Sequence, residues 1–251
     1  MAIRPGDTAL ENAGGPADGR PLYSRVRKAL SERIRSGIWR PGQMIPSEFE
    51  IARELGVSQG TVRKALDSLA AEKIVIRRQG KGTFVVEHTP DDVLFRFFHI
   101  YADTGGRVRP ESSRASARVA EAAPRERERL GLPRSARVVR IERLRLHDGK
   151  PFLVETIVLP AARFPGLATR EEVPNTLYDL FQSDYGILVA RADERLTAVA
   201  ADRRTARALA IAEGTPLLRI DRIAYALDDR PIEWRVSIVH LERMHYFAEL
   251  R

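Results

Sequence analysis

Apolar positions recur at fourfold spacing through Leu22, Val26, Leu30 and Ile34 and give out near Gly37, which predicts a helix opening after Pro21. A shorter pattern starts at Ser47. Ser47 and Glu50 have the S-x-x-E spacing of a capping box, Ile51, Ala52 and Leu55 share one face, and Gly56 stands where a helix needs a left-handed residue to stop. Ser58 is placed to cap a third helix, with Val62, Leu66 and Leu69 as its buried stripe and Gln59, Gly60, Arg63 and Lys64 on the other face. The period then changes. Ile74 to Arg78 reads as a strand, Gln79-Gly80-Lys81-Gly82 as a glycine-bearing turn, and Thr83 to Val86 as the returning strand. Two short helices in tandem followed by a basic hairpin have the layout of a winged helix-turn-helix, here over 21–88.

That layout gives the exposed side chains a chemistry. Gln pairs with adenine edges, Arg with guanine O6 and N7 or with phosphate, and Gly60 permits close approach. A polar helix face alone is equally an ordinary solvated face. The hairpin favours the DNA reading, because Arg77, Arg78 and Lys81 cluster at its turn, where a hairpin tip lies along a phosphate backbone or enters a minor groove.

Beyond residue 103 the pattern repeats itself. Arg140-Ile141-Glu142-Arg143-Leu144 returns 79 positions later as Arg219-Ile220-Asp221-Arg222-Ile223. Upstream of each copy lies an Ala- and Arg-rich helical segment ending in Leu130-Gly131-Leu132 or Leu209-Ala210-Ile211, and downstream a turn, Asp148-Gly149-Lys150-Pro151 or Asp228-Asp229-Arg230-Pro231, leads into another strand. The unit is helix, strand, turn, strand. Two such units pair into one antiparallel sheet with helices on a face, an α+β arrangement, and a cleft between the halves is a natural ligand site. Arg143 and Arg145 share a strand face, and Glu155 and Glu233 lie at even offsets from equivalent prolines. Period alone leaves two readings open: these charges line the cleft, or they lie on the solvated side of a half-covered sheet.

Composition narrows the class. The 251 residues are 43% hydrophobic, enough for two cores, and residues 1–20, with Gly6, Gly14, Gly15, Gly19, Pro5 and Pro16, read as a flexible tail. A linker is expected over 89–103, anchored on the second domain by Phe95-Arg96-Phe97-Phe98, with that domain over 104–251. Of the net charge of +8, residues 20–88 carry 14 Lys and Arg against seven Asp and Glu, whereas the chain from Thr89 has 27 against 24. Nucleic-acid affinity is thus expected of the small domain alone. There is no cysteine, which excludes disulfides and thiolate sites and suits a reducing interior. No long apolar run or signal core is evident, so a cytoplasmic protein without membrane partners is expected. The five histidines are scattered; His240 and His245 do not share a face, and neither a metal nor another cofactor is expected.

These motifs together resemble bacterial GntR-type transcription regulators, in the HutC branch that carries a UTRA effector-binding domain. The resemblance runs through Pro46-Ser47-Glu48, Gly56-Val57-Ser58-Gln59-Gly60-Thr61-Val62-Arg63-Lys64-Ala65-Leu66 and Arg77-Arg78-Gln79-Gly80-Lys81-Gly82-Thr83-Phe84-Val85. It continues in Ile141-Glu142-Arg143-Leu144-Arg145, Glu155 with Leu159-Pro160, Thr176-Leu177-Tyr178-Asp179, Tyr185-Gly186-Ile187 and Gly214-Thr215-Pro216-Leu217-Leu218-Arg219-Ile220. It implies a chorismate-lyase-like second domain that binds a small metabolite, and a homodimer whose two heads read a near-palindromic operator in double-stranded DNA. By that resemblance Ser47, Ser58, Thr61, Gln79, Gly80, Gly82 and Thr83 join Gln59, Gly60, Arg63, Lys64, Arg77, Arg78 and Lys81 at the DNA. Arg143, Arg145, Glu155, Thr176, Tyr178 and Glu233 match the positions that line the effector cavity in sugar-phosphate-sensing relatives.

The chain also departs from the pattern. Phe49 stands where the family often has Arg, Gln59-Gly60 where it has Arg-Thr, His240-Leu241-Glu242-Arg243-Met244 where it closes with Arg-Gly-Asp-Arg-Tyr, and Val239 where a cavity tyrosine is usual. An operator and effector of its own are the expectation, and Arg143 with Arg145 argues for an anionic group on the ligand. The expected function is a ligand-responsive repressor rather than an enzyme. The rival is a chorismate-lyase-like enzyme tethered to DNA, with Glu155 as acid and Arg143 as clamp, and it lacks any visible nucleophile-base pair. A purely architectural DNA binder leaves the near-neutral duplicated domain without a purpose.

Overall fold

A computed structural model describes residues 21–86 and 96–249. The tail over 1–20 and the first part of the expected linker, 89–95 with Phe95 included, lie outside the described residues. Two compact units emerge, divided after residue 88, with 186–190 falling in the first.

In the first unit, α1 (Leu22–Arg35), α2 (Glu48–Leu55) and α3 (Gln59–Ala71) precede a hairpin of β1 (Val75–Arg78) and β2 (Gly82–Val85). The predicted capping box is made: Ser47 Oγ accepts from the Glu50 amide at 3.3 Å and the Glu50 carboxylate accepts from the Ser47 amide at 2.8 Å. Gly56 closes α2 at φ +64°, and Ser58 Oγ accepts from the Thr61 amide at 3.2 Å to start α3. Caps of this kind contribute about 1 kcal/mol each, which matters for an eight-residue helix. Val26, Leu30, Ile51, Leu55, Val62, Leu66, Leu69 and Ile74 are buried and form the core, but the two ends of the predicted first stripe do not join it: Leu22 is 44% exposed and Ile34 half-buried. One pairing was not anticipated. Met44 bridges Phe84, and the Ile45 amide donates to the Thr83 carbonyl at 2.9 Å, so residues before α2 brace the hairpin.

The second unit is built on a six-stranded antiparallel sheet, comprising β4 (Glu111–Glu121), β5 (Arg137–His147), β6 (Lys150–Pro160), β7 (Val189–Ala200), β8 (Pro216–Ala226) and β9 (Pro231–Val239) in the order β4-β5-β6-β9-β8-β7. The duplication explains that order. Each half is strand, helix, strand, turn, strand, with α4 (Pro124–Leu130) and α6 (Arg203–Leu209) in equivalent places, and the halves meet where β6 pairs with β9. Each half thus carries one strand more than the predicted unit; β4 and β7 are the sheet's edges, exposed along most of their length, so no apolar alternation announced them. Equivalence extends to detail. Both helices end in a left-handed residue, Gly131 at φ +62° and Ala210 at φ +55°, and β5 and β8 carry register shifts at Arg145/Leu146 and Ala224/Tyr225.

On one face of this sheet, Leu130, Val138, Val158 and Trp234 bury α4, and Ala206, Leu209 and Leu217 bury α6. The opposite face carries Ile141, Arg143 and Arg145 on β5, Leu153, Glu155 and Ile157 on β6, and Glu233, Arg235 and Ser237 on β9. Most of these side chains are fully buried, so the solvated-face reading falls. Part of this face is covered by β3 (Ile100–Ala102) and β10 (Met244–Tyr246), which pair with each other; Ile100 packs with Leu153, Ile220 and Val239. The last residues of the expected linker are therefore a strand of the second unit. A further helix, α5 (Leu177–Tyr185), buries Leu177, Tyr178, Leu180 and Phe181.

Candidate functional site

The first unit presents the predicted cationic surface. Gln59, Gly60, Arg63 and Lys64 are exposed along α3, and Arg77, Arg78, Gln79, Gly80 and Lys81 along the hairpin, with Thr61 and Thr83 half-buried beside them. Several of these side chains are held in place. Glu48 accepts from Arg63 Nε at 2.9 Å and from Arg77 Nη2 at 3.1 Å, tying α2, α3 and β1 together, while Arg77 Nη1 also reaches Asp67 at 2.5 Å. Lys64 Nζ sits 4.4 Å from the Tyr23 ring centroid and the Arg78 guanidinium 4.7 Å from that of Phe84. Gly82 is needed as glycine: its φ is +110°, and a Cβ there would meet Met44 Sδ at 3.2 Å. The Ser47 and Ser58 hydroxyls act as caps, and Phe49 projects into solvent.

In the second unit the predicted effector residues come together. Arg143 and Glu155 are cross-strand partners on β5 and β6, with Arg143 Nε 2.7 Å from Glu155 Oε1; Arg145 Nη1 reaches the same oxygen at 3.1 Å. Tyr178 Oη, brought by α5, donates to Glu233 Oε1 at 2.7 Å, and Thr176 lies on the same wall. Three residues not predicted from sequence complete the polar group. Arg235 bridges the two glutamates, Asn175 Oδ1 accepts from Arg145 Nη2 at 2.9 Å, and Arg222 pairs with Glu194 at 2.5 Å. The repeat itself held the signal for two of them: Arg222 is the equivalent of Arg143, and Arg235 that of Glu155 once the one-residue-longer turn is counted.

Phe97 and Phe98 also line the cavity. The Phe97 ring stands edge-on to Tyr178, centroids 5.3 Å apart, and its backbone carbonyl accepts from Arg222 Nη2. Tyr246 in turn donates to Glu194, so the mini-sheet of β3 and β10 is fastened to the same network. What remains open is about 30 Å³, room for little more than a water. A broader groove of about 620 Å³ lies on the other face of the sheet beside α6, with the Arg204–Glu142 pair at its exposed rim.

Burial and charge work against each other here. Desolvation lowers the Arg145 pKa to about 10 and also lowers that of Arg143. Burial would raise the Glu155 carboxyl, but Arg143, Arg235 and Arg145 outweigh it and hold it well below its ordinary 4.5. Tyr178 is pushed up by burial and by Glu233, so it stays a neutral donor. Among the described residues, four arginines (143, 145, 222 and 235) thus face three carboxylates (155, 194 and 233), leaving one net positive charge in largely buried surroundings. Such an arrangement can hold an anion by charge-assisted hydrogen bonds.

A cationic winged helix joined to a duplicated domain with a charged internal cavity defines a DNA-binding protein under ligand control. Residues 22–85 match the model of bacterial regulatory proteins of the gntR family, and residues 106–245 match the UTRA domain. The chain is 32% identical over 84% of its length, and 87% of the relative's, to the "Probable fructoselysine utilization operon transcriptional repressor" of Escherichia coli (strain K12). It is also 32% identical to the histidine utilization repressor of Pseudomonas putida, over 83% of this chain and 82% of that one. The crystal structure of the ligand-binding domain of a GntR-family transcriptional regulator from Bordetella bronchiseptica superposes with a TM-score of 0.57 at 35% identity, covering 62% of this chain and 98% of that one. The chain belongs to the gntR family of bacterial transcription regulators, in the HutC branch with a UTRA effector domain; it is a regulator and not an enzyme. Among the described residues, no helix is long and apolar enough to cross a membrane.

Proposed function

We propose that the chain is a cytoplasmic repressor that binds a near-palindromic operator as a homodimer and lets go when a small anionic metabolite enters the cavity of the second unit. At the DNA, α3 enters the major groove with Gln59 and Arg63 toward base edges and Gly60 allowing close approach. Ser47, Ser58, Thr61 and Lys64 hold phosphates, and the hairpin from Arg77 to Thr83 follows the backbone. The observation that carries the ligand half is the four arginines gathered around one buried cavity with a net positive charge.

The size of the cavity supports a switch. Metabolite sites run to roughly 300 Å³ or more, an order of magnitude above the space open here, so a ligand must displace wall residues. Phe97 and Phe98 are such residues, and they follow the basic hairpin by little more than ten positions in the chain. Ligand entry therefore acts on the segment leading to the head. The test is a thermal-shift screen of metabolites on the full chain, followed by gel shifts on DNA adjoining its own gene. A metabolite that stabilises the protein and releases the DNA is expected; stabilisers that leave DNA binding untouched count against the proposal.

A further inference from the structure

The two glutamates that the family resemblance assigns to the ligand are fully engaged by this chain's own side chains. Glu233 Oε1 accepts from Tyr178 Oη at 2.7 Å and from Arg235 Nε at 3.0 Å, while its Oε2 accepts from Arg235 Nη2 at 2.7 Å. Glu155 Oε1 takes Arg143 and Arg145, and its Oε2 takes Arg235 Nη1 at 3.3 Å. Among the described residues, Arg235 is therefore the one that touches both carboxylates, through a planar fork that a lysine cannot reproduce. Its guanidinium also lies 5.4 Å from the Tyr178 ring centroid, which fixes its plane within the cavity wall. By contrast a donor is left over: Arg145 Nε is buried without a hydrogen-bond partner among the described residues.

We infer that Arg235 is a specificity-determining residue that withdraws Glu155 and Glu233 from ligand recognition, so that the cavity selects acids and rejects ligands bearing an ammonium group. This rests on the reading of the cavity as the effector site and sharpens it. An ammonium entering here meets surplus arginine and finds no open carboxylate, a repulsion that water does not screen in a buried space. A carboxylate or phosphate meets the net positive charge and the unsatisfied donor of Arg145. A ligand amine has counter-ions only if Arg235 is removed. Its position in the repeat makes this legible: the first half places an acid at 155, and the second places a base at the equivalent 235.

The experiment swaps one end of a five-carbon probe at a time. Glutarate, 5-aminovalerate and cadaverine, with inorganic phosphate as the smallest anion, are titrated into the full chain at constant ionic strength, with stabilisation and calorimetric affinity as readouts. The wild type should bind glutarate or phosphate at least tenfold more tightly than 5-aminovalerate and should not respond to cadaverine. Arg235→Ala should weaken the anions about tenfold and bring 5-aminovalerate level with glutarate. Arg235→Lys, which keeps the charge balance and hence the fold, should narrow the gap severalfold. Arg63→Ala, in the other unit, should leave the order unchanged, placing the anions away from the DNA face.

A wild type stabilised by neither anion, or as well by 5-aminovalerate as by glutarate, overturns the inference. So does an Arg235→Ala variant that folds and keeps the wild-type order. Gel shifts separate this from the regulator reading. If the order depends on Arg235 but no bound acid alters DNA affinity, charge selection stands and the effector role falls. If a metabolite releases the wild type and Arg235→Ala alike, the effector role stands and Arg235 has no part in selection.

Discussion

Arg222 donates from Nη2 to the backbone carbonyl of Phe97, so a cavity-lining side chain grips the segment that leads back toward the DNA-binding head. The same guanidinium is paired with Glu194, which also receives the Tyr246 hydroxyl. A ligand that draws Arg222 toward itself must loosen one of these ties. Arg222→Gln should therefore leave operator affinity near wild type while uncoupling it from the effector. The measurement is the effector Kd with and without saturating operator. Its ratio differs from one in the wild type by the coupling factor and should approach one in the variant. An unchanged ratio would show that coupling runs elsewhere.

Arg143 and Glu155 make a buried pair, and breaking one side leaves a charge inside the sheet face. Arg143→Ala should cost about 3 kcal/mol of stability, softened where Arg145 and Arg235 still attend Glu155. The double variant Arg143→Ala/Glu155→Ala should cost less than the sum of the two single changes, with a coupling of about 1 kcal/mol or more. Denaturant unfolding of the four proteins tests this. Operator binding by Arg143→Ala should persist, while its release by effector is lost.

On the DNA face, the charge of Lys81 is exposed at the hairpin turn, whereas Arg63 is steered by Glu48. Lys81→Ala should weaken binding to all sequences alike and reduce the slope of log K against log salt by about one. Arg63→Ala should weaken the operator more than random DNA. Glu48→Gln frees Arg63 and Arg77 from their acidic anchor, so non-specific affinity should rise and discrimination fall. Gel shifts at several salt concentrations distinguish the three, and equal losses on operator and random DNA for Arg63→Ala would remove it from base recognition.

The acid limb of stability follows from Glu155. Its folded pKa is held below the ordinary 4.5, so its contribution is complete above that value and is lost as pH falls through the folded pKa. Glu155→Gln should be the less stable protein at neutral pH, and the difference in Tm should shrink steadily below about pH 4.5. A gap that stays constant on acidification contradicts the assignment.

Ala210 occupies the left-handed position that its equivalent, Gly131, fills at the end of the other helix. A Cβ in that conformation costs about 1 kcal/mol, partly offset by the greater unfolded-state freedom of glycine. Ala210→Gly should raise Tm by about 1–3 °C, readable by calorimetry. Gly131→Ala should lower it by a similar amount.

The winged helix was legible almost residue by residue because its signals are local: a capping serine, a glycine stop and an apolar stripe each act within one turn. The face shared by Arg143, Arg145, Glu155 and Glu233 was legible from the two-residue period of strands. Its burial was not, because what covers it is brought from α5 and β3, far off in sequence. The repeat places Arg222 and Arg235 on that face too, but their burial was hidden for a related reason. An arginine in an alternating strand looks solvated until the opposing layer is known. Glu48, read only as part of a motif, proves to be the acid that orders two cations of the DNA face.

The duplicated sheet carries a last implication. Two identical halves would offer a ligand the same surroundings at either end, and a small molecule would sit in it both ways round. Here the second half answers Glu155 with Arg235, and Asn175 and Tyr178 approach from a segment that has no copy. The enclosure is therefore polar along its length, and a guest has a head and a tail in it.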